Sequence, residues 1–211
     1  MFDIIDLSQQ LTSKSLSYPG TVPAWISHRR DLSCDQATLT RFSDLDPHGG
    51  THMDAPLHFA PGGIGIGAVP LRLYPVRVVP VTTSLIEADA VPADCADCAV
   101  LFSTGWERHA GTPGYFKGFP YLTSDAARCL VGRHAGLVGL DTPSVDGAPV
   151  EDPPFPAHTA LCGAGIPIVE GLVNLPALLP LPGKILFAAF PIKLGGIEAS
   201  PVRAVALVPR G

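Results

Sequence analysis

Apolar positions along this chain come in short runs, broken every few residues by proline or glycine. Residues 2–7 partly alternate apolar and polar, which predicts a first strand. Tyr18-Pro19-Gly20 marks a turn, and the segment from Trp25 to Phe42 reads as a loop with short strands. Residues 76–83 predict a strand in which Pro80, lacking an N–H, favours a sheet edge or a bulge. The unbroken apolar run at 99–104 predicts a buried strand, as does 136–140. Between them, Thr123 or Ser124 is placed to cap a helix whose apolar positions include Ala126, Ala127, Leu130 and Val131. A short helix is expected over 157–164, near His158, and two closing strands over 185–194 and 202–208. Pattern alone therefore predicts an α/β or α+β protein of many short strands, without repeats or a long linker.

Composition narrows the function more than the fold. The 211 residues fit one domain, taken as 1–211, and 46% hydrophobic against 16% charged residues suits a packed core. Fourteen Lys and Arg against 19 Asp and Glu leave a net charge of −5 with no basic run. Nucleic acid and anionic membrane are therefore not expected partners. The first residues, Met1-Phe2-Asp3-Ile4-Ile5-Asp6, carry acid where a signal peptide needs base, and no window approaches roughly 18 uninterrupted apolar residues. Five cysteines, an odd number without a secretory signal, read as reduced and the protein as cytoplasmic. Cys95 and Cys98 form a Cys-x-x-Cys, but no second pair completes a structural zinc site, so a turn with two semi-buried thiols is expected. Gly62-Gly63-Ile64-Gly65-Ile66-Gly67 reads as flexible, and it matches no phosphate-binding loop.

The chemistry concentrates in His48-Gly49-Gly50-Thr51-His52-Met53-Asp54-Ala55-Pro56-Leu57-His58-Phe59, which holds three of the seven histidines and a carboxylate. Imidazole with carboxylate is the usual ligand set of a catalytic zinc or similar ion. If the stretch is extended, His52 and Asp54 point to one side, because side chains alternate. A lone His-x-x-x-His is mostly chance, but Asp54 and His58 in the same Gly/Pro-framed stretch turn the balance to a metal or catalytic site. Asp141-Thr142-Pro143-Ser144-Val145-Asp146 follows a predicted strand, where α/β proteins often place a site. Asp141 and Asp146 there read as turn formers. The aromatics Trp106, Tyr115, Phe116 and Phe119 read equally as pocket wall or loop packing. His28, His109 and His134 match no motif, and Arg203 reads as the partner of a buried carboxylate.

The stretch resembles the His-x-Gly-Thr-His-x-Asp-Ala-Pro-x-His signature of the metal-dependent cyclase/kynurenine formamidase family. Residues 139–146, the Ile168-Val169-Glu170-Gly171-Leu172 segment and Ala199–Arg203 are similar to further patterns of that family. The resemblance implies a compact α/β fold in which a mixed sheet closes towards a barrel with flanking helices, a swivelling β/α/β-like arrangement. It implies that His48, His52 and Asp54 hold a first metal ion, and that Asp54 bridges to a second held by His158 and Glu170. Zinc is expected, two ions per chain, with manganese as the alternative. His58, left over after ligation, is then the general acid/base. The implied activity is hydrolysis of a C–N bond in a small amide, foremost an arylformamide such as N-formylkynurenine. Isatin-hydrolase-like lactam opening and polyketide-type cyclisation or dehydration are alternatives, and a metal-stabilised binding module is the non-enzymatic one. A homodimer is expected.

Overall fold

The structure, a computed structural model, describes residues 1–12, 15, 25–30, 39–147, 155–181 and 184–210. The expected Tyr18-Pro19-Gly20 turn and Cys34 lie outside the described residues, as do the side chains of Trp25 and His28. In chain order the strands are β1 (Phe2–Asp6), β2 (Trp25–Arg30), β3 (Leu39–Ser43), β4 (His52–Asp54), β5 (Tyr74–Pro80), β6 (Leu85–Ile86), β7 (Ala99–Ser103), β8 (Tyr121–Leu122), β9 (Leu137–Leu140), β10 (Ile168–Glu170), β11 (Leu186–Pro191) and β12 (Ala199–Pro209). The helices are α1 (Ser124–Gly132) and α2 (Pro156–Gly163). β2 pairs with β3 and β6 with β8, outside the main sheet.

The main sheet runs β12-β11-β5-β7-β9-β10-β4 and closes on itself, because β4 pairs antiparallel with β12 as well as with β10. β5, β7, β9 and β10 are parallel neighbours, and the remaining pairings are antiparallel. β4 takes the first residues of β12, and β1 takes the last on the same edge. The expected mixed sheet closing towards a barrel is thus observed, with α1 and α2 flanking it.

Strand alternation sorts the apolar residues into two cores. Ala99 and Leu101 of β7 point into the barrel with Met53, Leu137, Val169, Phe187 and Ala204. Val100 and Phe102 point outward, against Leu130 of α1 and Leu161 of α2. A strand buried on both faces must be apolar at every position, which is why the run at 99–104 carries no alternation. The Thr123 hydroxyl caps α1 by accepting from the Ala126 N–H at 3.2 Å, and Ala126, Ala127 and Leu130 are buried while Val131 is only partly so.

Two local readings change and one is refined. β5 is an interior strand, but at Pro80 its β11 side is unpaired, a local edge. Backbone N–H groups alternate in direction along β5: Val81 donates to Ser103 of the β7 side and Val76 to Ile185 of the β11 side. Pro80 shares the parity of Val76, but β5 pairs with β11 only at Tyr74 and Pro75, so no partner is deprived of a donor. Three of the glycines at 62–67, Gly63, Gly65 and Gly67, are packing sites rather than flexible ones. A Cβ on Gly63 would meet the Pro56 backbone at 2.7 Å, and one on Gly67 the Leu194 carbonyl oxygen at 2.3 Å. Arg203 pairs with Asp6, but this carboxylate is exposed, not buried.

Gly67→Ala should therefore destabilise the protein by about 1–3 kcal/mol, the usual effect of overpacking. Gly132→Ala, in α1 with open space around it, should be neutral or stabilise by up to about 1 kcal/mol. Chemical denaturation of both variants checks this, and equal midpoints would refute the packing assigned to Gly67.

Candidate metal centre

The centre is assembled from four places. β4 is extended, so Met53 enters the barrel and His52 and Asp54 share the opposite face. Its antiparallel register with β10 sets Glu170 opposite His52. His158 comes from the first turn of α2, and His48 from the segment before β4. The five expected ligands are thus brought together, and His52, Asp54, His158 and Glu170 are 4% exposed or less.

The distances within the group are short. His48 Nδ1 lies 3.0 Å from Asp54 Oδ1, and His52 Nε2 lies 3.5 Å from Asp54 Oδ1 and 3.4 Å from Glu170 Oε2. His158 Nε2 lies 3.5 Å from Asp54 Oδ2 and 3.3 Å from Glu170 Oε1. Ligand atoms within 4.8 Å of one another fall into two sets, His52 with Asp54 and Glu170, and His48 with Asp54 and His58. Asp54 is common to both, as a bridging carboxylate would be. This partition differs from the sequence expectation, and it brings His58 to the ligand group.

Each buried imidazole is oriented from behind. His52 Nδ1 donates to the Gly50 carbonyl at 3.1 Å, which directs Nε2 at the carboxylates. His158 Nδ1 donates to Asp146 Oδ2 at 2.7 Å. The same carboxylate accepts from the backbone N–H groups of Ala157 (2.8 Å) and His158 (2.9 Å), so it caps α2 and aims its histidine together. Glu170 Oε1 accepts from the Val145 N–H at 2.7 Å. Gly171, with φ +66°, turns the chain directly after Glu170, and a Cβ there would lie 2.5 Å from the Gly50 carbonyl oxygen.

Asp146 is the functional residue that sequence reasoning passed over as a turn former. Its signal was its place twelve residues before His158 in a loop ending a strand. Asp141 is no simple turn former either: it is fully buried and accepts from the Thr104 N–H (3.1 Å) and hydroxyl (2.6 Å), tying the ends of β7 and β9.

Electrostatics point to a cation. Among the described residues, both oxygens of Asp54 and Nε2 of His52 are buried without a well-aligned hydrogen-bond partner. Such atoms are costly unless something charged completes them. Burial pulls the imidazoles of His52 and His158 down, but the carboxylates outweigh it, holding His52 at about 9 and His158 well above its ordinary value. Burial pushes Asp54 and Glu170 up, and the facing histidines more than reverse this. Protons and a metal ion compete for these lone pairs, so binding an ion must displace protons. A mixed imidazole/carboxylate donor set of this size fits zinc or manganese.

Two cavities meet at the centre, sharing His48, His52 and Pro143. One, of about 240 Å³, is walled by His58, Phe59 and Phe155. Phe155 holds a left-handed φ of 59°, unusual for a bulky residue, and Phe59 stacks on the His158 ring at 4.7 Å. The other, of about 370 Å³, is bounded by the segment after β1 and by Tyr115 and Phe116. Trp106 instead ties its turn to the next one, its Nε1 donating to the Tyr115 carbonyl at 2.8 Å, and Phe119 is buried. The Cys-x-x-Cys thiols lie far from this chemistry: Cys95 and Cys98 are buried and free, and burial raises the Cys95 pKa. His109 packs against Trp106 at 4.4 Å.

Asp54→Ala should remove all bound transition metal on elemental analysis, and Glu170→Gln only part of it. Asp146→Asn should weaken metal affinity by about 10- to 100-fold, as loss of an orienting carboxylate usually does. Metal content in Asp54→Ala equal to wild type would refute the bridging role.

The comparisons agree with this architecture. An isatin hydrolase solved with the product analogue thioisatinate superposes with a TM-score of 0.87 at 25% identity, over 99% of this chain and 93% of that one. Isatin hydrolase A from Ralstonia solanacearum gives 0.83 at 26% identity, over 99% and 92%. A predicted metal-dependent hydrolase from Bacillus stearothermophilus gives 0.80 at 26% identity, over 99% and 100%. Residues 5–147 match the sequence model of the Cyclase family, and the chain belongs to that family.

Proposed function

We propose that this protein is a metal-dependent hydrolase that cleaves the C–N bond of a small aromatic amide. The observation that carries the reading is the convergence of three imidazoles and two carboxylates, with Asp54 lacking a well-aligned hydrogen-bond partner among the described residues, beside a cleft walled by Phe59 and Phe155. Zinc is the first choice of ion and manganese the second, with two sites sharing Asp54. His48, His52, Asp54, His158 and Glu170 would hold the ions. When bound, such an ion supplies Lewis-acid polarisation of a carbonyl and a nucleophile from water near neutral pH.

The protein's own residues supply the rest. Phe59 and Phe155 offer apolar surface to an aryl group and keep bulk water from the reacting carbonyl. His58 ends a short 3-10 turn, Pro56–His58, and its ring lies 4.5 Å from that of His48. Burial lowers its pKa, more than the Asp54 carboxylate raises it, so the imidazole is neutral at pH 7. A neutral imidazole beside the centre takes the proton released as the nucleophile adds, then returns it to the leaving nitrogen. An amine departs poorly without that proton.

Within this class a cyclic aryl amide of the isatin type comes first, because two of the similar solved structures are isatin hydrolases. An open arylformamide such as N-formylkynurenine comes second, supported by the sequence motifs around His48 and Asp141. Metal-loaded protein assayed on isatin, N-formylkynurenine and formanilide separates the two, and full turnover of any of them in a strong chelator would refute metal dependence.

His58→Ala should keep most of its metal yet lose about 10²–10⁴-fold in kcat, the usual share of general acid/base catalysis. Aryl esters with good leaving groups should suffer less. Metal lost in proportion to activity would instead make His58 a ligand, and a wild-type rate would place the proton carrier elsewhere.

A further inference from the structure

The aromatic cleft alone, at about 240 Å³, is smaller than the roughly 300–1,000 Å³ of ordinary small-molecule sites. The second cavity, at about 370 Å³, opens on the other side of the same two histidines. Its lining is chemically different. Among the described residues, the polar residues Ser8, Gln9, Gln10, Ser15 and Tyr115 line it beside His48 and His52, and no Lys, Arg, Asp or Glu does.

Gln9 is the ordered polar group of this chamber. Its Nε2 donates to the Gly171 carbonyl at 2.9 Å and lies 3.3 Å from the Tyr115 hydroxyl. Its backbone N–H donates to Thr51 Oγ1 at 2.8 Å, and that hydroxyl donates to the Gly171 carbonyl at 2.6 Å. The side-chain amide is thus held by two contacts, both on its nitrogen, and the residue is anchored further through its backbone. Its carbonyl oxygen has no partner among the described residues. A held acceptor selects for a donor, because a carboxylate has no proton to give it.

We propose that this chamber is a second limb of the substrate site, that it takes an uncharged hydrogen-bond donor such as a hydroxyl or primary carboxamide carried by the aryl amide, and that Gln9 reads that donor. The inference rests on the reading of the centre as an amide hydrolase. It narrows the substrate class from small aromatic amides to those with a neutral polar extension. Rejection of an analogue lacking the donor follows from the acceptor that is then left unpaired.

Three probes of near-equal shape test it: formanilide, 3-formamidobenzamide and 3-formamidobenzoate. On metal-loaded wild type, the carboxamide should exceed both others in kcat/KM by about tenfold, the factor of one well-made hydrogen bond. Gln9→Leu should bring the carboxamide-to-formanilide ratio to about one, through KM rather than kcat. The ratio ignores any uniform loss caused by disturbing Gly171, and Gln10→Ala, with no tie to Gly171, should lower it partially should Gln9→Leu fail to fold. Ligand-observed NMR affinities for the same probes give a readout independent of turnover. Tighter binding of the carboxamide without hydrolysis of any probe would refute the hydrolase reading and keep the chamber. Hydrolysis with equal ratios in wild type and variant, or equal affinity for carboxamide and carboxylate, would overturn the chamber.

Discussion

One buried carboxylate constrains the rest of this molecule. Asp54 is 1% exposed, faces His48, His52 and His158, and among the described residues neither of its oxygens has a well-aligned hydrogen-bond partner. A charge in that position is tolerable only if cations surround it, whether protonated imidazoles or a metal ion. The raised pKa values of His52 and His158 show the protein answering with protons, and the geometry that produces them is also that of a ligand set. The fold keeps this group buried by making β4 a bridge. Three residues long, it is paired on both sides, with β10 and β12, and its central Met53 is anchored in the barrel core.

Rigidity around Asp54 comes from hydrogen bonds that each serve two purposes. Asp146 caps α2 and aims His158, so the helix cannot shift without moving the histidine. The Val145 N–H holds Glu170, and Leu172 and Gly171 donate to the carbonyls of Leu140 and Thr142, so the strand ends that carry the site are tied to one another. Thr51 and Gln9 converge on the Gly171 carbonyl from the β1 side. Preorganisation of this kind lets a site bind an ion or a developing charge with little rearrangement. His58 stands outside these ties, with no hydrogen bond to its ring nitrogens among the described residues, which suits a group that must accept and release a proton.

Much of the architecture was legible from local physics. The buried strands β7 and β9 read as apolar runs because a strand covered on both faces has no polar side to display. The α1 start at Thr123 followed from the need of the first N–H groups for a side-chain acceptor. The shared face of His52 and Asp54 followed from strand alternation alone. Local rules also misled where partners were invisible. Gly63 and Gly67 looked flexible because nothing in the sequence shows the backbone of residues 56 and 194 pressing on them, and the sequence could not show that the edge at Pro80 belongs to an interior strand whose overlap with β11 is short.

By itself, then, the sequence determined the element types, the cluster of His48, His52, Asp54 and His58, and through its motifs the membership of the Cyclase family. These are properties of residues within a few turns of one another, set by sterics, capping and side-chain period. Only the tertiary structure decided that Glu170 stands across from His52, that Asp146 aims His158, and that a polar chamber adjoins the aromatic cleft. Those relations join residues separated by twelve to more than a hundred positions. They depend on which strand edges pair and which faces bury each other, and chain order alone does not specify such pairings.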